Sequence, residues 1–333
     1  MSAPVALSDS VQVPAIGFGC MGFSQSYGTS NDEEAKKVLR RSIEIGATLW
    51  NTARIYGKEQ HNEKLIGEVL REGNNRAQIF VVSKWGLKPT ADSMECDGSA
   101  AYAKQCIDET IANLGSAPDA YLLHRIDPKT PVEEGVAAME EMRKAGKTKY
   151  IGLSCMSADT LRRAAKVGKI DFVEMEWSPF ETEIERNGVI DACKELGVKI
   201  LAYSPLGKGF LTGRFRSIKD ISGEADSRGA GAFPRFSEEV FEHNFKLVEA
   251  IEKLAEKKGC KPGQLALAWD TQVYPGLVIA IPGTKSIKYL EENYAARNIK
   301  LSSDELAEIR KVLEENPVKG AQYNEKLTQI WSE

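Results

Sequence analysis

Short apolar runs alternate along this chain with longer amphipathic ones. The apolar runs are Ala15–Phe18, Thr48–Asn51, Ile79–Lys84, Ala120–His124, Tyr150–Ser154, Phe172–Glu176, Lys199–Tyr203 and Leu277–Ile281, and their length and flanks predict strands. Between them, Asp32–Ile45, Asn62–Arg71, Ala100–Leu114, Val132–Ala145, Ala158–Val167, Ile190–Leu196, Glu238–Lys258 and Ile287–Ala295 carry apolar residues at helical spacing. Glycines close several of these segments, as at Gly46, Gly115, Gly146, Gly168, Gly197 and Gly259, the residue type that helix C-termini prefer. Eight strand–helix units in one chain predict an α/β fold, the (β/α)8 or TIM barrel. A doubly wound open sheet also alternates, but no GxGxxG follows the first strand. The barrel is expected over about residues 13–300 of a single domain, with an extra helix at Ser302–Glu315 and a tail over 316–333. One connection, Gly207 to Phe236, is long enough to be functional or mobile.

Composition narrows the choice of function. The net charge is −4, from 44 basic and 48 acidic residues, which gives no basic face for nucleic acid. No stretch approaches the ~20 apolar residues of a membrane span, and the first residues lack a signal-peptide pattern. A soluble, cytoplasmic protein is expected. The six cysteines are scattered without a CxxC pair and read as free thiols. With three histidines and no HxH or HExxH, no metal site is expected.

In a (β/α)8 barrel the chemistry sits at the C-terminal ends of the strands. There the second strand offers Asn51 and, just beyond it, Tyr56; the third ends in Lys84 and the fourth in His124. Each has an ordinary reading: a tyrosine packed in a turn, a solvated or paired lysine, a structural histidine. Together, on neighbouring strands, they make chemical sense. A phenol titrates near pH 10, too high for easy proton exchange at neutral pH. A nearby ammonium lowers that value, and a neutral imidazole can orient a carbonyl oxygen. The trio suits protonation of a carbonyl oxygen while hydride reaches its carbon.

The strings VPAIGFGCMGF, VVSKWG, YLLHRID, KYIGLS, YSPLGKGFLTGRF, GQLALAW and IPGTKSIKYLEEN carry a family resemblance from about Val13 to Tyr323. The chain resembles an aldo-keto reductase, nearest the fungal and plant branch that includes pyridoxal reductase-like and other carbonyl reductases. The resemblance implies NADPH-dependent reduction of an aldehyde or ketone by a monomer or weak oligomer. Tyr56 then matches the proton donor, Lys84 its modulator and His124 the substrate-orienting residue. The family's fourth member is an aspartate paired with the lysine, and Asn51 stands in its place. Without that carboxylate, protonated Lys84 is expected to be disfavoured in a dry site. A working enzyme with a natural amide, an introduced change, and a weakened or regulatory cofactor-binding protein all remain open on this point.

For the cofactor, the resemblance implies contacts from Ser154 and, in place of the usual amide on the sixth strand, Glu174. Tyr203 matches the ring that stacks on nicotinamide, and Ser204, Leu206, Gly207, Lys208 and Gly209 match a pyrophosphate-binding loop. Gly283, Thr284, Lys285 and Lys288 match positions around the adenosine 2′-phosphate, with Glu292 and Asn293 at the adenine. The two lysines favour NADPH over NADH; their ordinary reading is a solvated helix start. Met21, Phe23, Trp85, Arg125, Trp177 and Phe210 follow strand ends and are candidates for the substrate pocket, or else pack the barrel rim.

Overall fold

The computed structural model describes residues 2–24, 27–90, 94–221, 223, 226–229 and 231–331. Its main sheet runs β1 (Phe18–Gly19), β2 (Leu49–Asn51), β3 (Phe80–Trp85), β4 (Ala120–Leu123), β5 (Tyr150–Ser154), β6 (Phe172–Glu176), β7 (Lys199–Tyr203) and β8 (Val278–Ala280). Each strand pairs in parallel with the next in chain order. Parallel bridges from Ile16 to Ala280 and from Gly19 to Gly283 join the last strand to the first. The fold is therefore a (β/α)8 barrel. The predicted first strand, Ala15–Phe18, is only partly regular, because its residues make single bridges to β8 rather than a ladder. Gly19 permits that seam: a Cβ there would stand 2.7 Å from the Ile281 carbonyl oxygen.

The helices are α1 (Asp32–Ile45), α2 (His61–Leu70), α3 (Ala100–Leu114), α4 (Val132–Lys144), α5 (Ala158–Ala165), α6 (Val189–Leu196), α7 (Glu238–Lys258), α8 (Pro262–Gln272), α9 (Ile287–Ala295) and α10 (Ser303–Glu315). Local chemistry starts them where the sequence suggests. Asn31 accepts a hydrogen bond from the Glu34 amide at 3.1 Å, and Asp32, Glu33 and Glu34 oppose the helix dipole of α1. Helix α8 is an addition to the pattern read from the sequence. Gly263 and every residue from Leu265 to Thr271 are buried, so it has no polar face and no amphipathic period to betray it.

Strand alternation divides the interior in two. Leu49, Val82, Ala120, Leu122, Phe172, Leu201 and Ile279 point into the barrel and fill it below the mouth. Their neighbours, among them Trp50, Val81, Tyr121, Val173 and Ile200, point outward into the layer shared with the helices. A hairpin of Val5–Ala6 and Gln12–Val13 packs Val5 and Val13 against the inner cluster. Among the described residues no helix is long and apolar enough to cross a membrane.

The C-terminal segment does not hang free. Asn244 on α7 donates to the Lys319 carbonyl and accepts from its amide, at 2.9 and 2.8 Å. The Asn324 amide donates to the Ala232 carbonyl at 3.0 Å in the long connection after β7. These anchors carry Gln322 and Tyr323 to the barrel mouth, and a last helix, α11 (Glu325–Trp331), follows where only a tail was expected.

Candidate active site

The inward parity of the core residues continues to the strand ends. Two residues beyond Leu49 comes Asn51; beyond Val82, Lys84; beyond Leu122, His124; beyond Phe172, Glu174; beyond Leu201, Tyr203. One alternation that buries aliphatic side chains in the lumen therefore aims a polar ring at the mouth. Tyr56 reaches this ring from the loop after β2. That loop is pinned: the Thr52 amide donates to Val82 and the Arg54 amide to Lys84, while Thr52 Oγ1 donates to Asn62 Oδ1 at 2.6 Å.

Lys84 is the centre of the ring and fully buried. Its Nζ donates to Asn51 Oδ1 at 2.7 Å, to the Thr52 carbonyl at 2.9 Å and to the Tyr56 hydroxyl at 3.3 Å. It also stands 3.2 Å from Glu174 Oε1. The other Glu174 oxygen accepts from Asn51 Nδ2 at 2.7 Å. At that separation, with an effective dielectric of about 20, the gross Lys84–Glu174 attraction is about 5 kcal/mol before desolvation is counted. Burial opposes the charge on Lys84, but Glu174 and Tyr56 outweigh it and hold the ammonium above its ordinary value. The expectation that Lys84 loses support for its charge with Asn51 at the aspartate position is corrected here. A carboxylate is present, but it comes from across the barrel.

Burial pushes the Tyr56 phenol upward; Lys84 draws it down and Glu174 pushes it up, leaving a net rise. The phenol is thus protonated at neutral pH. Its ring meets that of His124 edge-on, with centroids 5.7 Å apart. Burial, then Lys84 and Arg125, hold the His124 imidazole well below its usual range, so it is neutral. Among the described residues, His124 Nδ1 is buried without a hydrogen-bond partner. That suits the tautomer with its proton on Nε2, free to donate into the mouth.

Around this centre lie the other inward groups. Ser154 Oγ donates to the Glu174 carbonyl at 3.1 Å. Arg125 Nη1 donates to the His124 carbonyl at 2.9 Å, Ser154 Oγ at 3.2 Å and Cys155 Sγ at 2.9 Å. The hydroxyls of Tyr203 and Tyr323 are 2.8 Å apart. Lys208 Nζ and Gln322 Nε2 both donate to the Glu176 carboxylate. Cys155, Ser204 and Lys208 all have positive φ, near 50°. Non-glycine residues held there store strain, and such strain gathers at functional sites.

Several expected ligand contacts are differently engaged. Lys208 turns inward to Glu176, and the Gly207 and Gly209 amides donate to the Ser204 and Leu206 carbonyls within their own turn. Lys285 donates to the carbonyls of Tyr27 and Thr29. Lys288 is exposed at the start of α9, beside Gly283 and Thr284, and the Glu292 carbonyl accepts from Gln264 on α8. Asn293 is buried. An unanticipated cation, Arg214, lies over the Tyr289 ring at 4.3 Å; only the folded chain brings that pair together.

Of the pocket candidates, Met21 is half-buried and Arg125 lines the mouth as described. The other four have no surface to offer a substrate in this structure. Trp85 lies in the helix-side core, within 3.6 Å of a Cβ built on Gly135 of α4. Trp177 stacks on Trp269 of α8 with centroids 4.8 Å apart. Phe210 sits among Phe180, Phe236 and Phe241, and Phe23 packs on Phe18. Parity decides the first two: Trp85 follows inward Lys84, and Trp177 follows inward Glu176.

Comparison with known proteins agrees with this architecture. The "Aldo-keto reductase yakc [NADP(+)]" of Schizosaccharomyces pombe is 40% identical over 328 residues, 97% of this chain and 95% of that one. The "Probable aldo-keto reductase 1" of Glycine max is 36% identical over 324 residues, 96% of this chain and 91% of that one. Two solved structures share the fold: a glycerol dehydrogenase from Gluconobacter oxydans and an aldo-keto reductase from Klebsiella pneumoniae in complex with NADPH. Their TM-scores are 0.85 and 0.73 at 22% and 24% identity, covering 96% and 97% of this chain and 98% and 99% of theirs. A family profile described as "Aldo/keto reductase family" matches residues 15–314. The chain belongs to the aldo/keto reductase family.

Proposed function

We propose that the protein reduces an aldehyde or ketone to an alcohol, using NADPH, with Tyr56 as the proton donor. The observation that carries this reading is the buried contact of Lys84 Nζ with the Tyr56 hydroxyl at 3.3 Å, beside a neutral His124. The donor set fits a phosphorylated dinucleotide. Ser154, Glu174 and Tyr203 offer polar groups inside the mouth, and exposed Lys288 and Arg214 stand where α9 begins. The "NADP(+)" in the name of the yeast relative supports the same cofactor.

NADPH, when bound, supplies the hydride that adds to the carbonyl carbon. The chain's own groups manage the oxygen. His124 donates from Nε2 to the carbonyl oxygen and fixes its direction; being neutral, it orients without competing as an acid. Tyr56 passes its proton to the oxygen as negative charge develops there. The phenolate left behind faces the Lys84 ammonium, whose charge lowers the cost of that step. A carboxylate partner for Lys84 favours a working reductase over a protein that only senses cofactor.

The test follows NADPH absorbance with a panel of aldehydes, pyridoxal included. Tyr56→Phe should lower turnover by ~10² or more, the usual scale for a positioned acid, with NADPH affinity nearly unchanged. Near-normal turnover in that variant would remove Tyr56 from the role.

A further inference from the structure

Two positions of the resemblance are altered together. The acid expected on the second strand is an amide, Asn51, and the amide expected on the sixth is an acid, Glu174. The structure puts the two in contact: Asn51 Nδ2 donates to Glu174 Oε2 at 2.7 Å, and both reach Lys84 Nζ, at 2.7 and 3.2 Å. All three side chains are buried.

We propose that Glu174 is the positioning residue that keeps Lys84 charged, and that Asn51 and Glu174 have exchanged the acid and amide roles between strands two and six. Asn51 then does two jobs a carboxylate could not combine. Its oxygen accepts from the ammonium, and its NH2 group holds the acid that neutralises that ammonium. The exchange preserves one negative charge and one amide around Lys84. Glu174 acts on Tyr56 in two opposed ways: it supports the Lys84 charge that draws the phenol down, and its own charge pushes the phenol up. This inference rests on the proposed reduction for its kinetic readout but not for its thermal one.

The groups facing Lys84 are Cys20 just after β1, Tyr56 from the loop after β2, His124 and Arg125 from the end of β4, and Glu174 from β6. Burial pushes the Cys20 thiol well up; Tyr56 is raised, Arg125 is raised and His124 is held low. On those directions the Cys20 thiol, the Tyr56 phenol and the Arg125 guanidinium keep their protons at pH 7, and the His124 imidazole is neutral there and above. With Glu174 removed, only Tyr56 still opposes burial at Lys84, so its value falls, and a new break at or above pH 7 belongs to Lys84.

Three full-length variants decide the matter: Glu174→Gln, Asn51→Asp, and the double exchange Asn51→Asp/Glu174→Gln. Glu174→Gln should reduce carbonyls about tenfold or more slowly at pH 7, on the scale of a weakened acid. Its deficit should shrink toward pH 5, where Lys84 regains its proton, and grow toward pH 9. It should also melt roughly 5–10 °C lower, the scale for a buried charge left alone in a chain of this size. The double exchange should recover both the rate, to within about threefold, and most of the melting temperature, as expected for one coupled unit. Asn51→Asp alone should be no faster than the parent, since two touching carboxylates cannot both stay ionised. The proposal is overturned if Glu174→Gln keeps the parent's rate, pH profile and melting point. It is equally overturned if the double exchange, still binding NADPH by fluorescence, is no better than Glu174→Gln. Should the parent reduce no carbonyl at all, the proposed function falls, and the melting comparison alone decides the charge exchange.

Discussion

Asp270 offers the most quantitative test of how this fold is held together. It lies on α8 with no exposed surface, and neither carboxylate oxygen has a hydrogen-bond partner among the described residues. Burial raises its carboxyl group well above the ordinary value, so the folded protein keeps it protonated. The sign follows. The unfolded chain releases that proton near pH 3.9, whereas the folded one holds it. Stability contributed below that pH is therefore lost as pH rises toward the folded value. Each unit withholds about 1.4 kcal/mol, or up to about 4 kcal/mol by pH 7. The unsatisfied oxygens add roughly 1–3 kcal/mol at any pH. Two variants separate these terms. Asp270→Asn has the same shape and does not titrate, so its advantage over the parent should be absent near pH 4 and grow toward pH 7. Asp270→Leu has as many heavy atoms and no polar ones, so it should be stabilised at both ends, and by up to about 5–7 kcal/mol at neutral pH. Urea unfolding followed by circular dichroism from pH 4.5 to 7.5 reads both. A constant Asp270→Asn difference across that range, or a less stable Asp270→Leu protein, would refute the reasoning.

Other expectations concern the site. NADPH should bind at least tenfold tighter than NADH, about 1.4 kcal/mol, by fluorescence titration. Lys288→Ala should lose several-fold in NADPH affinity, about 1 kcal/mol for an exposed charge contact, while NADH affinity stays level; an equal loss for both would move the phosphate elsewhere. Because His124 is neutral and held well below its usual range, kcat/KM for reduction should show no break between pH 5.5 and 7.5; an inflection near pH 6.5 that His124→Gln removes would contradict this.

The barrel is legible because eight short, mainly apolar strands are spaced by amphipathic helices. Strand ends were less so. Single bridges, not a ladder, close the seam at Ile16 and Ala280, and no side-chain pattern marks a lone bridge. Helix α8 hid behind its own burial. The strand-end positions of Asn51, Lys84 and His124 are legible from the sequence itself, and Tyr203 enters only through the family resemblance. Counting by twos from those residues would also have sent Trp85 and Trp177 outward, a signal present in the sequence. What no one-dimensional reading supplies is distance across the barrel. Asn51 and Glu174 looked like two separate departures, one at the lysine and one at the cofactor, until the fold brought them to 2.7 Å.

The C-terminal segment gives the site a schedule. A ribosome delivers β1 first, yet Ile16 must wait for Ala280 before the barrel can close, a long-range pairing that folds slowly. Even then the mouth is unfinished. Glu176 and Tyr203 receive their partners Gln322 and Tyr323 only when the chain beyond α10 has emerged and Asn244 has caught Lys319. Glu174 and Glu176 are therefore made well before the C-terminal partners that complete the mouth around them. The desolvated pocket that tunes Lys84 and Tyr56 is among the last things the growing chain acquires.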